Sequence, residues 1–154
     1  MSSSEKIDFF EVSDLTSLIC TDPSVGDVVR ATLRELNFKF HTADSMETGI
    51  ERIRYNLYDI IVLQDNFAGS SLKSNAILSY LAPLAMAQRR YSMVVLIGGG
   101  LKTFDAMEAF GNSVQLVVST SDLPNFSAIL KKSWTGFQSM YRIYTDVFAS
   151  MGEK

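Results

Sequence analysis

Apolar residues in this chain fall into short runs that alternate with segments of helical periodicity. The runs predict five β-strands, at residues 15–21, 38–41, 58–63, 93–97 and 114–119. The segments between them predict helices that begin at Asp22-Pro23, span 43–55, span 70–90 with a kink or break at Pro83, span 103–110, and begin again near Pro124. Short apolar strands separated by helices indicate an α/β fold, in which a doubly wound five-stranded parallel sheet is covered on both faces.

Composition narrows the class of protein further. The chain has 154 residues, 47% of them hydrophobic and 20% charged, which is typical of one soluble globular domain. The net charge of −3 and the scattered basic residues argue against a nucleic-acid partner. No apolar run approaches the roughly 18 residues that span a bilayer, so no membrane association is expected. The single Cys20 and the absence of an apolar signal segment favour a cytoplasmic location, and the single His41 argues against a histidine-rich metal site.

Residues 43–64, ADSMETGIERIRYNLYDIIVLQ, contain a helix with small and acidic residues, the aromatic-acidic pair Tyr58-Asp59, and a buried strand. This order resembles the receiver domain of bacterial response regulators, and the resemblance extends over roughly residues 15–132. It implies a flavodoxin-like sheet of strand order 2-1-3-4-5 and a role in two-component signal transduction. We therefore divide the chain into an N-terminal segment at 1–13, a receiver-like domain at 14–133, and an extension of the last helix at 134–154.

The resemblance also implies a phosphoacceptor pocket. Receivers accept a phosphoryl group on an aspartate after the third strand, and two acids after the first strand help to hold Mg²⁺. The acceptor follows the aromatic-acidic pair by five residues, and counting from Asp59 gives Gln64. The Pro-Gly turn of receivers falls at Ala68-Gly69 in the same register. Because an amide does not form an acyl phosphate, this position is expected to be chemically silent.

The other groups of such a pocket are also depleted. Asp22 is the one nearby acid after the first strand, and a role as helix cap explains it. Ile97 or Gly98 stands where receivers have a hydroxyl, and Ser119-Thr120-Ser121 stands where they have a lysine. We therefore expect a non-enzymatic pseudo-receiver without cofactor, metal or small-molecule substrate. Its degenerate pocket comprises Gln64, Asp65, Asp22, Gly98 and Thr120.

Two other functions stay open. Asp65 becomes the phosphoacceptor if a strand bulge turns it into the pocket, with Asp22 as a partial ligand of Mg²⁺. Alternatively, the flavodoxin-like fold binds a flavin or a nucleotide. The glycine run at 98–100 is weak support for this function, because it has neither the GxGxxG spacing nor a Walker lysine. A strand-to-helix turn is the simpler interpretation of that run.

The last helix is longer than a receiver needs. From Leu130 onward, large apolar residues recur at alternating spacings of four and three, which places them on one stripe of a helix. An exposed stripe of this kind predicts a protein partner, most simply a second copy in a homodimer. The predicted interface comprises Trp134, Phe137, Tyr141, Tyr144, Phe148 and Met151.

Two points about this interface are left open by the sequence. The helix either continues, or breaks near Gly136 and folds back onto Phe9, Phe10 and Val12. The fourth predicted helix contains a further apolar set that either adds to the interface or belongs to the core. This set comprises Phe104, Met107 and Phe110.

Overall fold

The computed structural model describes residues 14–70, 74–83 and 92–150, and gives the backbone alone for residues 141–150. The strands are β1 (Leu15–Cys20), β2 (Phe38–Thr42), β3 (Ile60–Gln64), β4 (Met93–Gly98) and β5 (Leu116–Ser119). The helices are α1 (Pro23–Glu35), α2 (Met46–Tyr55), α3 (Ala76–Leu81), α4 (Ala106–Gly111) and α5 (Phe126–Ser150). Two 3₁₀ segments, Phe67–Gly69 and Thr120–Asn125, follow β3 and β5.

The five strands form one parallel sheet of order β2-β1-β3-β4-β5, which confirms the predicted fold class and strand order. Each strand pairs in register with its neighbours, so their carboxyl ends meet at one edge. Gln64 pairs with Ile97 across β3 and β4, and Gly98 pairs with Ser119 across β4 and β5. The ends of these strands therefore lie side by side.

Strands β3 and β4 are apolar at nearly every position because both faces of the sheet are covered there. Alternate residues of β3 enter two separate core clusters. Ile61 and Leu63 lie in the cluster that includes residues of α2 and α3, whereas Ile60 and Val62 lie in the cluster that includes residues of α1 and α5. The result is the predicted three-layer sandwich.

Side-chain caps set the starts of the helices. Two helices, α2 and α4, start later than predicted because of these caps. Ser45 accepts a hydrogen bond from the Thr48 amide, so α2 begins at Met46 and not at residue 43. Asp105 caps α4 in the same way, which delays its start from residue 103 to Ala106. The prediction that Asp22 caps α1 is confirmed.

Two strands start later than predicted, β3 at Ile60 and not at 58 and β5 at Leu116 and not at 114, and the remaining helix boundaries differ as well. The segment that precedes α5 is a 3₁₀ helix that contains Pro124, so the α-helix begins at Phe126. Helix α3 ends at Leu81, shortly before Pro83, in agreement with the expected break. The predicted start at residue 70 is wrong, because residues 70, 74 and 75 are not helical and α3 begins after its cap Asn75; residues 71–73 and 84–90 lie outside the described residues.

Helix α5 runs without interruption through Gly136 to Ser150, so the alternative of a break at this glycine is wrong. Its 25 residues give a length of about 37 Å at about 1.5 Å per residue. The phenylalanines and valine of the predicted fold-back lie outside the described residues. No helix in the described ranges is long and apolar enough to cross a membrane.

Candidate functional site at the carboxyl edge of the sheet

The residues predicted to form the pocket all belong to the carboxyl edge of the sheet. Asp22 follows β1, Gln64 ends β3, Asp65 follows it, and Gly98 ends β4. Thr120 is the first residue of the 3₁₀ segment after β5. In open parallel sheets, this edge is where ligands bind. The question is therefore what the side chains at this edge contact.

Gln64 is buried, with 5% of its surface exposed, and both ends of its amide bond to Asp22. Its Oε1 accepts a hydrogen bond from the Asp22 backbone amide at 2.8 Å. Its Nε2 donates to the Asp22 carboxylate at 3.1 Å. Both polar atoms of the Gln64 amide therefore have a hydrogen-bond partner, and these bonds link the end of β3 to the residue that follows β1. An aspartate is one methylene shorter and has no N–H to donate, so it would not form this pair of bonds.

Asp22 is itself held by several donors. Its carboxylate accepts hydrogen bonds from the Val25 amide at 2.9 Å and the Ser24 hydroxyl at 3.0 Å. The Val25 amide, with further hydrogen bonds from Gln64 and Ser24, lowers the pKa of the Asp22 carboxyl group below its ordinary value. This carboxylate therefore already serves as a helix cap and as the acceptor for Gln64, two roles that compete with metal coordination.

Asp65 contacts the end of β4 through both its backbone and its side chain. Its backbone amide donates to the Ile97 carbonyl at 2.8 Å, and its side chain lies against Gly98. A β-carbon at position 98 would be 2.5 Å from Asp65 Oδ2 and 2.8 Å from Leu101 Cδ1, which is too close for any side chain without movement. Glycine at the end of β4 is therefore what gives the Asp65 carboxylate its space. The serine or threonine of a receiver would not fit here unless Asp65 moved.

Asn75 is a residue that the sequence analysis missed. It is fully buried, and its Nδ2 donates to the backbone carbonyls of Gln64 at 3.2 Å and Asp65 at 3.3 Å. Its Oδ1 accepts from the Leu78 amide and caps α3. Asn75 thus fixes the turn after β3. An asparagine just before an apolar helical run is a capping signal, but its second bond depends on the tertiary fold.

Hydrogen bonds within the protein also join the polar side chains at the end of β5. The Thr103 hydroxyl accepts from the Ser119 amide at 2.8 Å and donates to the Asp122 carboxylate. The Ser119 and Ser121 hydroxyls lie 2.9 Å apart. The Thr120 hydroxyl lies beside Gly99, 3.5 Å from where a β-carbon at that position would stand. Short hydroxyl side chains fill the region where a receiver has its lysine.

The sequence has no lysine close after β5, and the described residues hold no metal-ligand cluster. No lysine occurs between Lys102 and Lys131 in the sequence. Lys132 lies over the Phe104 ring at 5.4 Å from its centroid. Within the described ranges, no group of three or more acidic, histidine or cysteine side chains is placed to hold a metal ion. The carboxylates of Asp22 and Asp65 are the acids of the predicted pocket.

The predicted interface residues fall into two groups along α5. Trp134 and Phe137 are half-buried and pack against the domain, with the Trp134 ring 5.3 Å from Phe38 and 5.8 Å from Phe137. Met140, one turn further on, is 73% exposed. Side-chain exposure therefore increases from Trp134 and Phe137 to Met140. The side chains of Tyr141, Tyr144 and Phe148 lie outside the described residues, as does Met151.

The apolar set of the fourth predicted helix is exposed and does not belong to the core. Phe104 is 50% exposed, Met107 79% and Phe110 83%. Phe104 has a φ of 67°, a left-handed conformation that is uncommon for a bulky side chain. Its amide donates to the Val117 carbonyl at 3.0 Å, which ties this turn to β5.

Comparison with known proteins identifies the class of fold. The chain superposes on a response regulator from Chloroflexus aurantiacus J-10-fl with a TM-score of 0.63 and 14% identity, over 80% of this chain and 99% of that one. It superposes on the CheY-like receiver domain from Methylobacillus flagellatus with a TM-score of 0.57 and 20% identity, over 79% and 99%.

A longer protein gives a similar match. NtrX from Brucella abortus, solved in complex with ADP, aligns with a TM-score of 0.65 and 14% identity, over 90% of this chain and 30% of that one. The chain has the receiver fold of response regulators. Neither a family model nor a curated protein matches its sequence.

Proposed function

We propose that this chain is a receiver-like signalling module that does not accept a phosphoryl group and that acts by association with another protein. The observation that carries this proposal is the pair of hydrogen bonds between the Gln64 amide and Asp22. Acyl-phosphate formation needs an ionised carboxylate as nucleophile, and an amide lacks the required charge. The receiver fold therefore serves as a scaffold, and its surfaces supply the biology.

Three further features support loss of the phosphoryl chemistry. The Asp22 carboxylate is engaged by the Val25 amide and by Gln64. Gly98 supplies no hydroxyl, and short hydroxyl side chains replace the lysine after β5. Each loss removes a different contribution, namely metal binding, alignment of the phosphoryl group and neutralisation of its charge. Restoring one group alone is therefore not expected to restore the reaction.

Beryllofluoride with Mg²⁺ provides a direct test, because it mimics an acyl phosphate only on a competent carboxylate pocket. The amide spectrum of the ¹⁵N-labelled chain should show no change beyond that produced by Mg²⁺ alone. An active receiver domain treated in the same way is the positive control. Saturable shifts clustered at residues 22, 64, 65 and 98 would contradict the proposal.

Association through the last helix is the second part of the proposal. Helix α5 extends past the residues that anchor it, and its Met140 side chain is 73% exposed. The apolar periodicity continues through Tyr141, Tyr144, Phe148 and Met151. An apolar stripe that continues beyond the sheet is best explained by a partner, and a second copy supplies an equivalent stripe.

Sedimentation of the full chain tests this homodimer. The double substitution Met140→Glu and Tyr144→Glu places charge on the stripe and should convert a dimer into a monomer. Ser139→Glu is the matched control, because residue 139 is exposed and lies on the opposite side of the helix from the stripe. A wild-type chain that sediments as a monomer at micromolar concentrations would remove the homodimer and leave another protein as the partner.

The flavin or nucleotide alternative is tested separately. We expect the purified chain to be colourless and its melting temperature to be unaffected by FMN or ATP. A melting temperature that rises with ligand concentration would favour this alternative, since a ligand that binds only the folded state stabilises it.

A further inference from the structure

A cleft opens at the amino end of the sheet, opposite to Gln64. It has a volume of about 360 Å³ and is lined by the end of α2, the segment leading into β3, α3 and the start of β4. Small-molecule sites commonly occupy about 300–1,000 Å³, so this cleft has room for a compact ligand. Its lining includes none of the residues of the predicted pocket. It is therefore a separate feature of the molecule.

The lining of the cleft includes accessible apolar surface. Leu57, which is 67% exposed, contributes to it, and the partly buried Ile53 packs against the core cluster that holds Ile61 and Leu81. Tyr58 also lines the cleft, and its hydroxyl lies 2.8 Å from His41 Nδ1. Apolar lining of this kind suits a flat apolar group.

The rim of the cleft is aromatic and positively charged. Tyr55 is 73% exposed, and the guanidinium carbon of Arg54 lies 6.0 Å from the centre of the Tyr80 ring. None of the described lining residues carries a carboxylate, and within the described ranges no acidic side chain forms an ion pair with Arg54. A guanidinium that lies over an aromatic ring keeps its N–H edge available for a planar anion.

We propose that this cleft binds a small planar anion, namely one aromatic ring or two fused rings that carry a carboxylate. The ring lies against Leu57 beside Tyr55, and the carboxylate accepts hydrogen bonds from Arg54. The apolar side chains of the lining supply contact area but little selectivity. Selectivity for an acid over its neutral amide comes from the guanidinium, whose two parallel N–H groups match a carboxylate.

The test is a titration of the ¹⁵N-labelled full chain with 2-naphthoate, followed by amide chemical shifts. Saturable shifts are expected in residues 53–58, 80–81 and 92, and 2-naphthamide should bind at least about tenfold more weakly because it has no charge. Arg54→Gln should reduce naphthoate affinity by a similar factor. Arg34→Gln is the matched control, since the Arg34 guanidinium lies 5.4 Å from the Phe40 ring centre and does not line the cleft.

Three results would overturn the proposal. The first is the absence of saturable shifts at millimolar naphthoate. The second is equal affinity for the acid and its amide, because the guanidinium would then play no part in binding. The third is an equal loss of affinity in Arg54→Gln and Arg34→Gln, which would indicate a general charge effect. Each result is independent of whether the carboxyl edge accepts a phosphoryl group.

Discussion

The two ends of the sheet differ in the groups that they present. At the carboxyl edge, Gln64 bonds to Asp22, and Thr103 links Ser119 to Asp122. At the amino edge, a cleft of about 360 Å³ has Arg54 over Tyr80 at its rim. At the end where parallel sheets usually bind ligands, these side chains bond to one another, whereas a cleft lies at the opposite end.

Under the proposed function, this difference explains how a phosphoacceptor site is lost without damage to the fold. A carboxylate cluster that binds a cation has unfavourable charge repulsion when the cation is absent. Gln64 supplies both a donor and an acceptor to Asp22, so this pair needs no ion between its side chains. These side chains join two strand ends, and their removal should destabilise the domain.

The largest effect is expected at Gly98. Gly98→Ala places a methyl group 2.5 Å from Asp65 Oδ2 and 2.8 Å from Leu101 Cδ1, so the free energy of unfolding should fall by about 2–3 kcal/mol. Urea denaturation measures this change. Gly100→Ala is the control, because nothing lies within 4 Å of a β-carbon at that position.

The clash at Gly98 can be assigned to Asp65 by a double-mutant cycle. Asp65→Ala removes the carboxylate that the new methyl group meets, so it should recover part of the stability lost in Gly98→Ala. Additive effects of the two substitutions would show that Asp65 does not lie against Gly98.

A smaller loss is expected at Gln64. Gln64→Ala leaves the Asp22 amide and carboxylate without two of their partners, so the free energy of unfolding should fall by about 1–2 kcal/mol. Gln138→Ala, at an exposed position of α5, should leave stability unchanged. Equal stabilities of Gln64→Ala and wild type would mean that the carboxyl edge is not closed by this residue.

The smallest effect concerns two aspartates, one at each end of the sheet. Hydrogen bonds from the Val25 amide and other donors lower the pKa of Asp22, whereas burial raises the pKa of Asp59 despite its bonds to Thr16. Titration of the carboxyl carbons by NMR should therefore place Asp22 below the ordinary value of 3.8 and Asp59 above it.

The two shifts have opposite consequences for stability. The contribution of Asp22 is present above its unfolded pKa and is lost as the pH falls through its lower folded pKa. The ionised Asp59 carries a penalty at neutral pH, and this penalty is relieved as the pH falls through its raised folded pKa. Asp22→Asn should therefore lower the melting temperature at neutral pH, and this difference should shrink in acid. A difference independent of pH would contradict the assignment for Asp22.

The fold could be predicted from the sequence because its signals are local. Five apolar runs gave the strands, and Asp22 before Pro23 gave the start of α1. The starts of α2 and α4 were placed too early because apolar periodicity does not identify the capping residue. Once Ser45 and Asp105 are recognised as caps, both boundaries follow.

The candidate site could be predicted only in part. Counting from Asp59 places Gln64 at the acceptor position, and the structure places this residue beside Asp22. The second role of Asn75 and the contact between Gly98 and Asp65 depend on segments that meet only in the folded sheet. Sequence spacing does not show where along the last helix packing on the domain ends: Trp134 packs on Phe38, whereas Met140 is 73% exposed.

The most direct test of the account is the intact mass of the full chain after incubation with acetyl phosphate and Mg²⁺. An active receiver domain in the same mixture should gain one phosphoryl group, whereas the wild-type chain and Asp65→Asn should both keep their original mass. Gain of a phosphoryl group by the wild-type chain, and its loss in Asp65→Asn, would show that the acid beside Gly98 is the acceptor and would contradict the claim that Gln64 closes the site.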